Sequence, residues 1–367
     1  MSGSVVHVAK VAGISGAETH LLSLLPGLRA RGWDVRFAML HGGEPGAREF
    51  ARALAEEGVP VEAIRLRADV DPRAFLRLAR SFARTRPALV HTHLAHADLY
   101  GQPAARLACV PIRFSTKHGF NEFRENPRFA LADRLVGRLV DVHLAVSRGL
   151  AHYLAQTEGF DESGFEIAHY GVRLAPPAGP YLGPPRVLAI GRLIPIKGHT
   201  VLLRAFSAAL AEVPDLELRI AGTGRLEPAL RRLAAELAIE NRVRLLGHVQ
   251  PVGPAIEASS FVVVPSLGEG FGLVALEAME RSRAVVASGV GGLLDIVSDG
   301  ETGVLVPPSD ADALARAIVA LAGDPERAAR MGQAGRRRAE REFSEARCVD
   351  RIERLYLEAL GSRRARM

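Results

Sequence analysis

Cysteine is nearly absent: Cys109 and Cys348 are the only two in 367 residues. That excludes a disulfide framework and a multi-cysteine metal site. Lysine is almost as scarce, with Lys10, Lys117 and Lys197 standing against 44 arginines. A GC-rich coding bias accounts for such a ratio. A lysine that persists in that background still marks a place where a compact ammonium matters. No run of about 18 uncharged apolar residues exists, so no helix is expected to cross a membrane. The stretch Met1–Lys10 lacks the basic start, the longer apolar core and the small-residue cleavage site of a signal peptide. A cytoplasmic location is the expectation.

What is present is ordinary for a packed protein. Hydrophobic residues make up 48%, charged residues 24%, and the formal charge is +6. These values exclude a disordered chain, a collagen-like chain and a coiled coil. The length suits two domains better than one core. Short apolar runs alternate with amphipathic ones: strands at Ser4–Ala9, Val35–Leu40, Ala88–His91, Ile112–Thr116 and Val142–Val146, with helices at Ala17–Arg31 and near 46–57, 72–85 and 97–108. Pro26 is expected to kink the first helix. The segment Gly171–Pro185 is rich in proline and glycine without apolar periodicity, and reads as a linker. Beyond it the alternation restarts: strands Val187–Ile190, Leu216–Ala221, Val243–Leu245, Phe261–Pro265 and Val285–Ala287, and helices at Thr200–Val213, over 226–238 and from Gly272. Asp310 to Leu360 is helical in pattern throughout. The expectation is an α/β chain of two doubly wound, Rossmann-like domains facing a cleft. They span 1–170 and 186–345, around the linker 171–185, with a C-terminal helix at 346–367 crossing back.

Three glycine-rich loops fall where a strand meets a helix, the place where such sheets hold ligands. The first, Val11–Glu18, contains Gly13 and Gly16, which let backbone approach a ligand beside free helix N–H groups. A dinucleotide fingerprint is excluded there: Gly-x-Gly-x-x-Gly is missing, and Asp34 precedes its strand rather than closing it. A tight turn alone remains an alternative. The second loop, Gly191-Arg-Leu-Ile-Pro-Ile-Lys-Gly198, places Arg192 and Lys197 together; a guanidinium fork and an ammonium suit a diphosphate. Gly222-Thr-Gly224 ends a neighbouring strand. The third, Glu269-Gly-Phe-Gly-Leu-Val-Ala-Leu-Glu277, follows the strand Phe261–Pro265. Its glycines free N–H groups at a helix start, Glu269 stays in the loop, and Glu277 falls in the second helical turn. Two carboxylates so placed suit a sugar and a more distant hydroxyl pair.

With the Glu269-x7-Glu277 spacing, Gly-Arg-Leu…Lys-Gly before it and Gly-Glu-Thr-Gly-Val-Leu-Val-Pro-Pro after it, the chain resembles the retaining glycosyltransferases of family 4, which have the GT-B fold. The resemblance is strong over 187–310. It is looser before 150, where Gly16-Ala-Glu18, His91-Thr-His93 and Lys117-His118-Gly119 are the matching places. It implies a nucleotide-sugar of the UDP- or GDP-hexose type held by the second domain. Glu269 would meet the sugar hydroxyls, Glu277 the ribose, Arg192 and Lys197 the diphosphate, and Val249 the base. Gly16, Gly191, Gly222, Gly270, Phe271, Gly272 and Leu273 would complete the donor site. His118 would touch the transferred sugar and, with Glu269, Arg192 and Lys197, form the catalytic set. Glu18, His93, Lys117 and Asn121 fall on the side of the acceptor, which would be a glycan, a lipid-linked sugar or a small molecule. The implied product is α-linked and belongs to cell-envelope polysaccharide or glycolipid synthesis. Two places depart from the family: Tyr170-Gly-Val-Arg173 stands where Asn-Gly-Val-Asp is common, and Ser282-Arg-Ala284 where Gly-x-Pro is usual.

No metal and no cofactor is expected. Asp310-Ala-Asp312 has metal-motif spacing but opens a helix, where capping is its use. His91, His93 and His96 lie close together and could suggest a metal site, but with no cysteines nearby and a loop–strand geometry none is expected. Arg192 and Lys197 can stabilise a leaving diphosphate themselves. With no carboxylate pair placed like that of a retaining glycosidase, a front-face displacement is expected, the departing phosphate helping to deprotonate the acceptor. Arg65–Arg86 carries seven arginines against Asp69 and Asp71. On a helix Arg73, Arg77, Arg80 and Arg84 share one face, opposite Phe75, Leu78, Ala79 and Phe82. It is either a plain surface helix or a contact with anionic lipid that makes the protein peripheral at the inner membrane face. Nucleic acid is not expected, since no aromatic residues interleave that face. Two other readings remain open: a GT-B-shaped nucleotide-sugar epimerase, and a non-catalytic nucleotide-sugar-binding module.

Overall fold

Strands that are apolar on both faces need helices on both sides, and that requirement organises the chain. The computed structural model describes residues 3–68, 70–120 and 127–365. One unit comprises residues 1–171 and 345–367, the other 172–344. The first holds a parallel sheet of β1 (Ser4–Lys10), β2 (Asp34–His41), β3 (Val61–Arg65), β4 (Leu89–His93), β5 (Ile112–Lys117), β6 (Val142–Ala145) and β7 (Phe165–Ile167), in the order β3-β2-β1-β4-β5-β6-β7. The second holds β8 (Arg186–Ile190), β9 (Glu217–Ala221), β10 (Val243–Gly247), β11 (Phe261–Val264), β12 (Ala284–Ser288) and β13 (Gly303–Val306), in the order β10-β9-β8-β11-β12-β13. Both are doubly wound. The strand order reverses between β1 and β4 in one unit and between β8 and β11 in the other. The central strands β11, Phe-Val-Val-Val, and β12, Ala-Val-Val-Ala-Ser, are buried along their whole length.

The second core gathers Val187, Phe206, Ile220, Phe261 and Ile318. The first gathers Trp33, Phe37, Phe50, Phe114 and Tyr356, the last from the helix Glu345–Arg364, which returns the chain to its starting unit. That helix lies tightly on the helix Gly16–Ala30: a Cβ on Gly27 would stand 2.6 Å from Val349 Cγ2. Trp33 Nε1 donates to Glu353 at 2.9 Å, and Arg31 pairs with Glu353 and Asp350.

Several elements differ from the sequence expectation. β3 went unread because it is an edge strand, Val-Glu-Ala-Ile-Arg, in which only Ile64 is buried. β7 has three residues, too few for a pattern. The helix Gly16–Ala30 runs on through Pro26. The helix expected near 97 begins at Leu94, which takes a left-handed φ of 70° directly after β4. The helical stretch after Asp310 is three helices, Ala311–Ala322, Pro325–Glu342 and Glu345–Arg364. Asp324 caps the second through Arg327 N at 2.8 Å. The proline-rich segment runs along the second unit, where Ala175 N donates to Glu280 at 2.6 Å and Arg283 donates to the Gly179 carbonyl at 2.9 Å.

Candidate functional site

In an open parallel sheet the strands flanking the order reversal send their following loops to opposite faces, which leaves a crevice at their carboxyl ends. In the second unit those strands are β8 and β11. They pair only through Val187–Phe261 and Leu188–Val262, and diverge before either strand ends. The Arg192–Lys197 loop follows one strand and the Glu269 loop the other.

Glycine brings the two loops together. Gly198 has φ 68°, and a Cβ there would lie 1.9 Å from the Pro265 carbonyl oxygen. Leu267 N donates to the Ile196 carbonyl across the same junction at 2.8 Å. On the other flank Gly222, φ 146°, lets β9's end approach Gly191, whose carbonyl a Cβ would meet at 1.9 Å. The side chains then meet: Lys197 Nζ donates to Glu269 Oε2 at 2.6 Å, and Ser266 Oγ donates to the same oxygen at 3.0 Å. Both Lys197 and Glu269 keep some of their surface exposed. Arg192 is exposed and makes no ion pair among the described residues. Cation and carboxylate thus lie together at the carboxyl ends of β8 and β11, beside a helix start.

The helix Leu273–Glu280 begins directly after Gly272, at φ 105°, with the Glu269–Gly272 loop before it. Gly292 underpins this loop, its N–H donating to the Glu269 carbonyl at 3.0 Å, and a Cβ there would strike Phe271 at 2.4 Å. Phe271 is buried, edge-on to Phe343, and so carries the loop rather than presenting a ring to solvent. Glu277 lies one turn into the helix and keeps a small exposed edge. Burial pushes its carboxyl up to about 7, with help from Glu280 and against Arg281. Gly191, Leu273 and Val249 are half-buried, Val249 two residues past β10. Sequence reasoning missed Ser266, the second donor to Glu269, and Glu280, buried and paired with Arg281 and Arg336. Serine after a strand carries no signal of its own.

The corresponding reversal of the first unit is built from different chemistry. Ser15 and Glu18 form a capping box: Ser15 Oγ and N donate to Glu18 Oε2 at 2.6 and 3.1 Å. Glu18, expected to meet the acceptor, is buried in that cap. A Cβ at Gly13 or Gly16 would meet nothing within 4 Å, so the fold itself does not demand glycine at either place.

His118 follows β5 and is buried. Its Nε2 hydrogen-bonds His93 Nδ1 at 2.9 Å and its Nδ1 the Tyr170 hydroxyl at 2.5 Å. Burial holds its pKa well below the usual imidazole range, so the ring is neutral. Two acceptor-side expectations are corrected here. His93 is buried, with both ring nitrogens committed, to His7 and to His118. Lys117 is 1% exposed and sits between Asp98, at 2.8 Å, and Asp133, at 3.1 Å. Its persistence among arginines has a core reason: one compact ammonium ties two buried carboxylates. Asn121 lies outside the described residues.

His91 and His93 do cluster, with His7 of β1 rather than His96, their ring nitrogens within 4.8 Å of one another. Those nitrogens are taken up by hydrogen bonds among themselves and with Tyr356, Thr116 and His118. Asp310 caps its helix through Ala313 N at 2.8 Å. The helix Pro72–Thr85 buries Ala74, Leu78, Ala79 and Phe82 and leaves Arg73, Arg77, Arg80 and Arg84 exposed, Arg77 lying 3.5 Å from Glu62. No helix among the described residues is long and apolar enough to cross a membrane.

Residues 14–175 match the family described as Glycosyltransferase Family 4, and residues 184–324 the one described as Glycosyl transferases group 1. The chain is 34% identical over 288 residues to a D-inositol 3-phosphate glycosyltransferase of Streptomyces scabiei, covering 69% of this chain and 64% of that protein. A protein of the same name from Corynebacterium glutamicum is 37% identical over 184 residues, 48% of this chain and 44% of its own. The chain thus spans less than two thirds of the length of these curated relatives. Among solved structures, Anabaena HepE in complex with UDP and glucose superposes with a TM-score of 0.82 at 20% identity, over 98% of this chain and all of that one.

Proposed function

We propose that this chain, which belongs to the family 4, group 1 glycosyltransferases, moves a hexose from a nucleotide-sugar to an acceptor hydroxyl and retains the anomeric configuration. The observation that carries the reading is the Lys197–Glu269 pair, held at 2.6 Å across the crevice between β8 and β11. An ammonium and a carboxylate side by side suit the two ends of a sugar diphosphate linkage. Lys197 and exposed Arg192 take the diphosphate, Glu269 takes sugar hydroxyls, and N–H groups of the Gly270–Leu273 turn receive negative charge. Glu277, with its pKa near 7, is able to donate as well as accept, which suits the ribose hydroxyls. Val249 and Gly191 border the base, and His118, whose ring nitrogens are both hydrogen-bonded inside the first unit, meets the transferred sugar through its ring edge alone.

In the bond-breaking step the diphosphate leaves with two electrons from the anomeric C–O bond. Cations that already stand there stabilise the growing charge without reorganising. The acceptor oxygen attacks the same face, and its proton passes to the departing phosphate oxygen. Lys197 and Arg192 supply the charge that a metal would otherwise provide, so transfer is metal-independent. The donor is of the UDP- or GDP-hexose type; the HepE complexes with UDP and UDP-glucose are in keeping with the first of these. The acceptor is a glycan, a lipid-linked sugar or a small molecule of cell-envelope synthesis. The exposed arginine face of Pro72–Thr85 supports a cytoplasmic enzyme resting on an anionic membrane surface.

The test is a calorimetric panel of UDP-, GDP- and ADP-sugars, followed by NMR of the product formed with the tightest binder. Binding of one nucleotide class and an α-linked product from an α-linked donor, made equally well in excess EDTA, is expected. An inverted anomer or a reversible requirement for magnesium or manganese would overturn the mechanism.

A further inference from the structure

A hydrogen bond between two neutral imidazoles uses one N–H and one bare nitrogen, so a chain of such bonds has a direction. The first unit contains one. Tyr170 OH lies 2.5 Å from His118 Nδ1; His118 Nε2 lies 2.9 Å from His93 Nδ1; His93 Nε2 lies 2.9 Å from His7 Nδ1. His7 Nε2 lies 3.4 Å from the Tyr356 hydroxyl, which lies 2.5 Å from His91 Nδ1, and His91 Nε2 lies 2.6 Å from Thr116 Oγ1. All seven residues are buried. They come from β1, β4 and β5, from His118 just past β5 and Tyr170 just past β7, and from the helix Glu345–Arg364.

Three assignments satisfy every link. The one in which His7 and His91 both donate to Tyr356 leaves its buried hydroxyl hydrogen with no acceptor among the described residues, and the other two run in opposite directions. The distances choose between them. A phenol is a better donor than a neutral imidazole, so the two short contacts, Tyr170 to His118 and Tyr356 to His91, are those in which the phenol donates. The long contact, 3.4 Å, is then the one in which His7 donates to the phenol oxygen. This direction makes each of the four rings a neutral Nε2–H tautomer. The other would have both phenols accept at their short contacts and Tyr356 donate across the long one.

We infer that Tyr170, His93, His7 and Tyr356 are positioning residues for His118, forming with His91 and Thr116 one directed chain that fixes its tautomer. Burial supports neutrality throughout: it lowers His7 to about 3, and His91, His93 and His118 well below the usual imidazole range. A metal ion on His7, His91 and His93 is a poorer use of the same atoms. It would break both ring-to-ring links of His7 and His93 or strip His91 of Tyr356, leaving buried polar groups unpaired. The chain fixes the plane of the His118 ring: its Nε2–H is spent on His93, its Nδ1 accepts from Tyr170, and the ring edge between them is held in one orientation. A side chain meant to meet a sugar in one orientation gains from such a hold.

The role assigned to His118 rests on the proposed sugar transfer; the chain itself does not, and the test separates them. Side-chain ¹⁵N spectra of histidine-labelled protein, without any substrate, read which ring nitrogen carries hydrogen. Expected in the wild type are single Nε2–H signals for His7, His91, His93 and His118. Any of the four found as the Nδ1–H tautomer or as imidazolium overturns the direction. Tyr170→Phe removes the terminal donor without changing the ring volume. It is expected to shift the nitrogen signals of His93 and His7, which Tyr170 does not touch, as well as those of His118. A change confined to His118 overturns the chain, and circular dichroism of the variant establishes that it is folded. In steady-state transfer the same variant is expected to lose about fivefold to tenfold in kcat with donor KM unchanged. Wild-type kcat with shifted signals would overturn the positioning role alone. Absence of any transfer by the wild type, with the signals as expected, would overturn the proposed function and leave the chain intact.

Discussion

The two units repeat one sheet plan and fill its reversal point in opposite ways. Between β8 and β11 the fold places formal charges, Lys197 against Glu269 with Arg192 beside them, partly open to solvent. Between β1 and β4 it places His7, His91 and His93, buried and neutral, with His118 beside them after β5. The difference teaches what each position can do. Partly exposed charges retain enough solvation to exist without a ligand and can exchange each other for one. Buried imidazoles can orient a neighbour but cannot hold a diphosphate, because charging them in that environment is too unfavourable. On electrostatic grounds the crevice of the second unit suits a diphosphate and the buried histidines of the first do not.

The comparison breaks most severely at the glycines. Gly198→Ala would drive a methyl to 1.9 Å from a carbonyl oxygen at a left-handed φ. A loss of about 3 kcal/mol or more in urea unfolding is expected, and a loss under about 1 kcal/mol would contradict the close approach of the two loops. Next comes charge. Lys197→Ala leaves Glu269 and a bound diphosphate under-compensated and is expected to weaken nucleotide-sugar binding by about 1.5–3 kcal/mol in calorimetry. Unchanged affinity for every nucleotide-sugar would remove Lys197 from the site.

Acid sharpens the contrast further. His7 and His20 fall to about 3 in the fold, below the unfolded value of 6.5. The unfolded chain therefore takes up their protons first. The stability they contribute is complete above pH 6.5 and declines as pH falls toward 3, at about 1.4 kcal/mol per pH unit for each. In the second unit His199, at about 4, acts in the same sense. Glu277 is raised to about 7, so its contribution is complete below pH 4.5 and is lost as pH rises through 7. Hydrogen exchange at pH 7 and pH 5 should show protection falling more in β1, β4 and β5 than in β8, β11 and β12. Equal loss in both sheets would refute the asymmetry. The smallest structural effect belongs to Gly16→Ala, whose methyl meets nothing in the protein. The melting temperature should stay within the equivalent of about 0.5 kcal/mol while turnover falls, if that open space is where a ligand lies. Unaltered turnover would leave Gly16 as a plain helix start.

Much of the second site was legible because its components are local. Strand, glycine turn, Arg192 and Lys197 occur within one short stretch, as do Glu269, Gly272 and Glu277, and each stretch is bounded by a clean apolar strand. The first unit misled because its polar residues look the same whether they face a ligand or the core. Lys117 and His93 carried the composition of a site, yet they are paired with Asp98, Asp133, His7 and His118, which no spacing rule links to them.

Periodicity, turn chemistry and the restart after the proline-rich segment sufficed to determine two parallel α/β units, because those signals act between near neighbours in the chain. The order of the strands and the return of the helix Glu345–Arg364 decided everything that depends on distant partners. Pairing β1 with β4 sets His7 opposite His91, and the returning helix brings in Tyr356 from 265 positions beyond His91. A buried donor or acceptor must find its partner wherever the fold provides one. Whether a histidine is exposed and reactive or buried and spent was therefore settled only when the sheets were assembled.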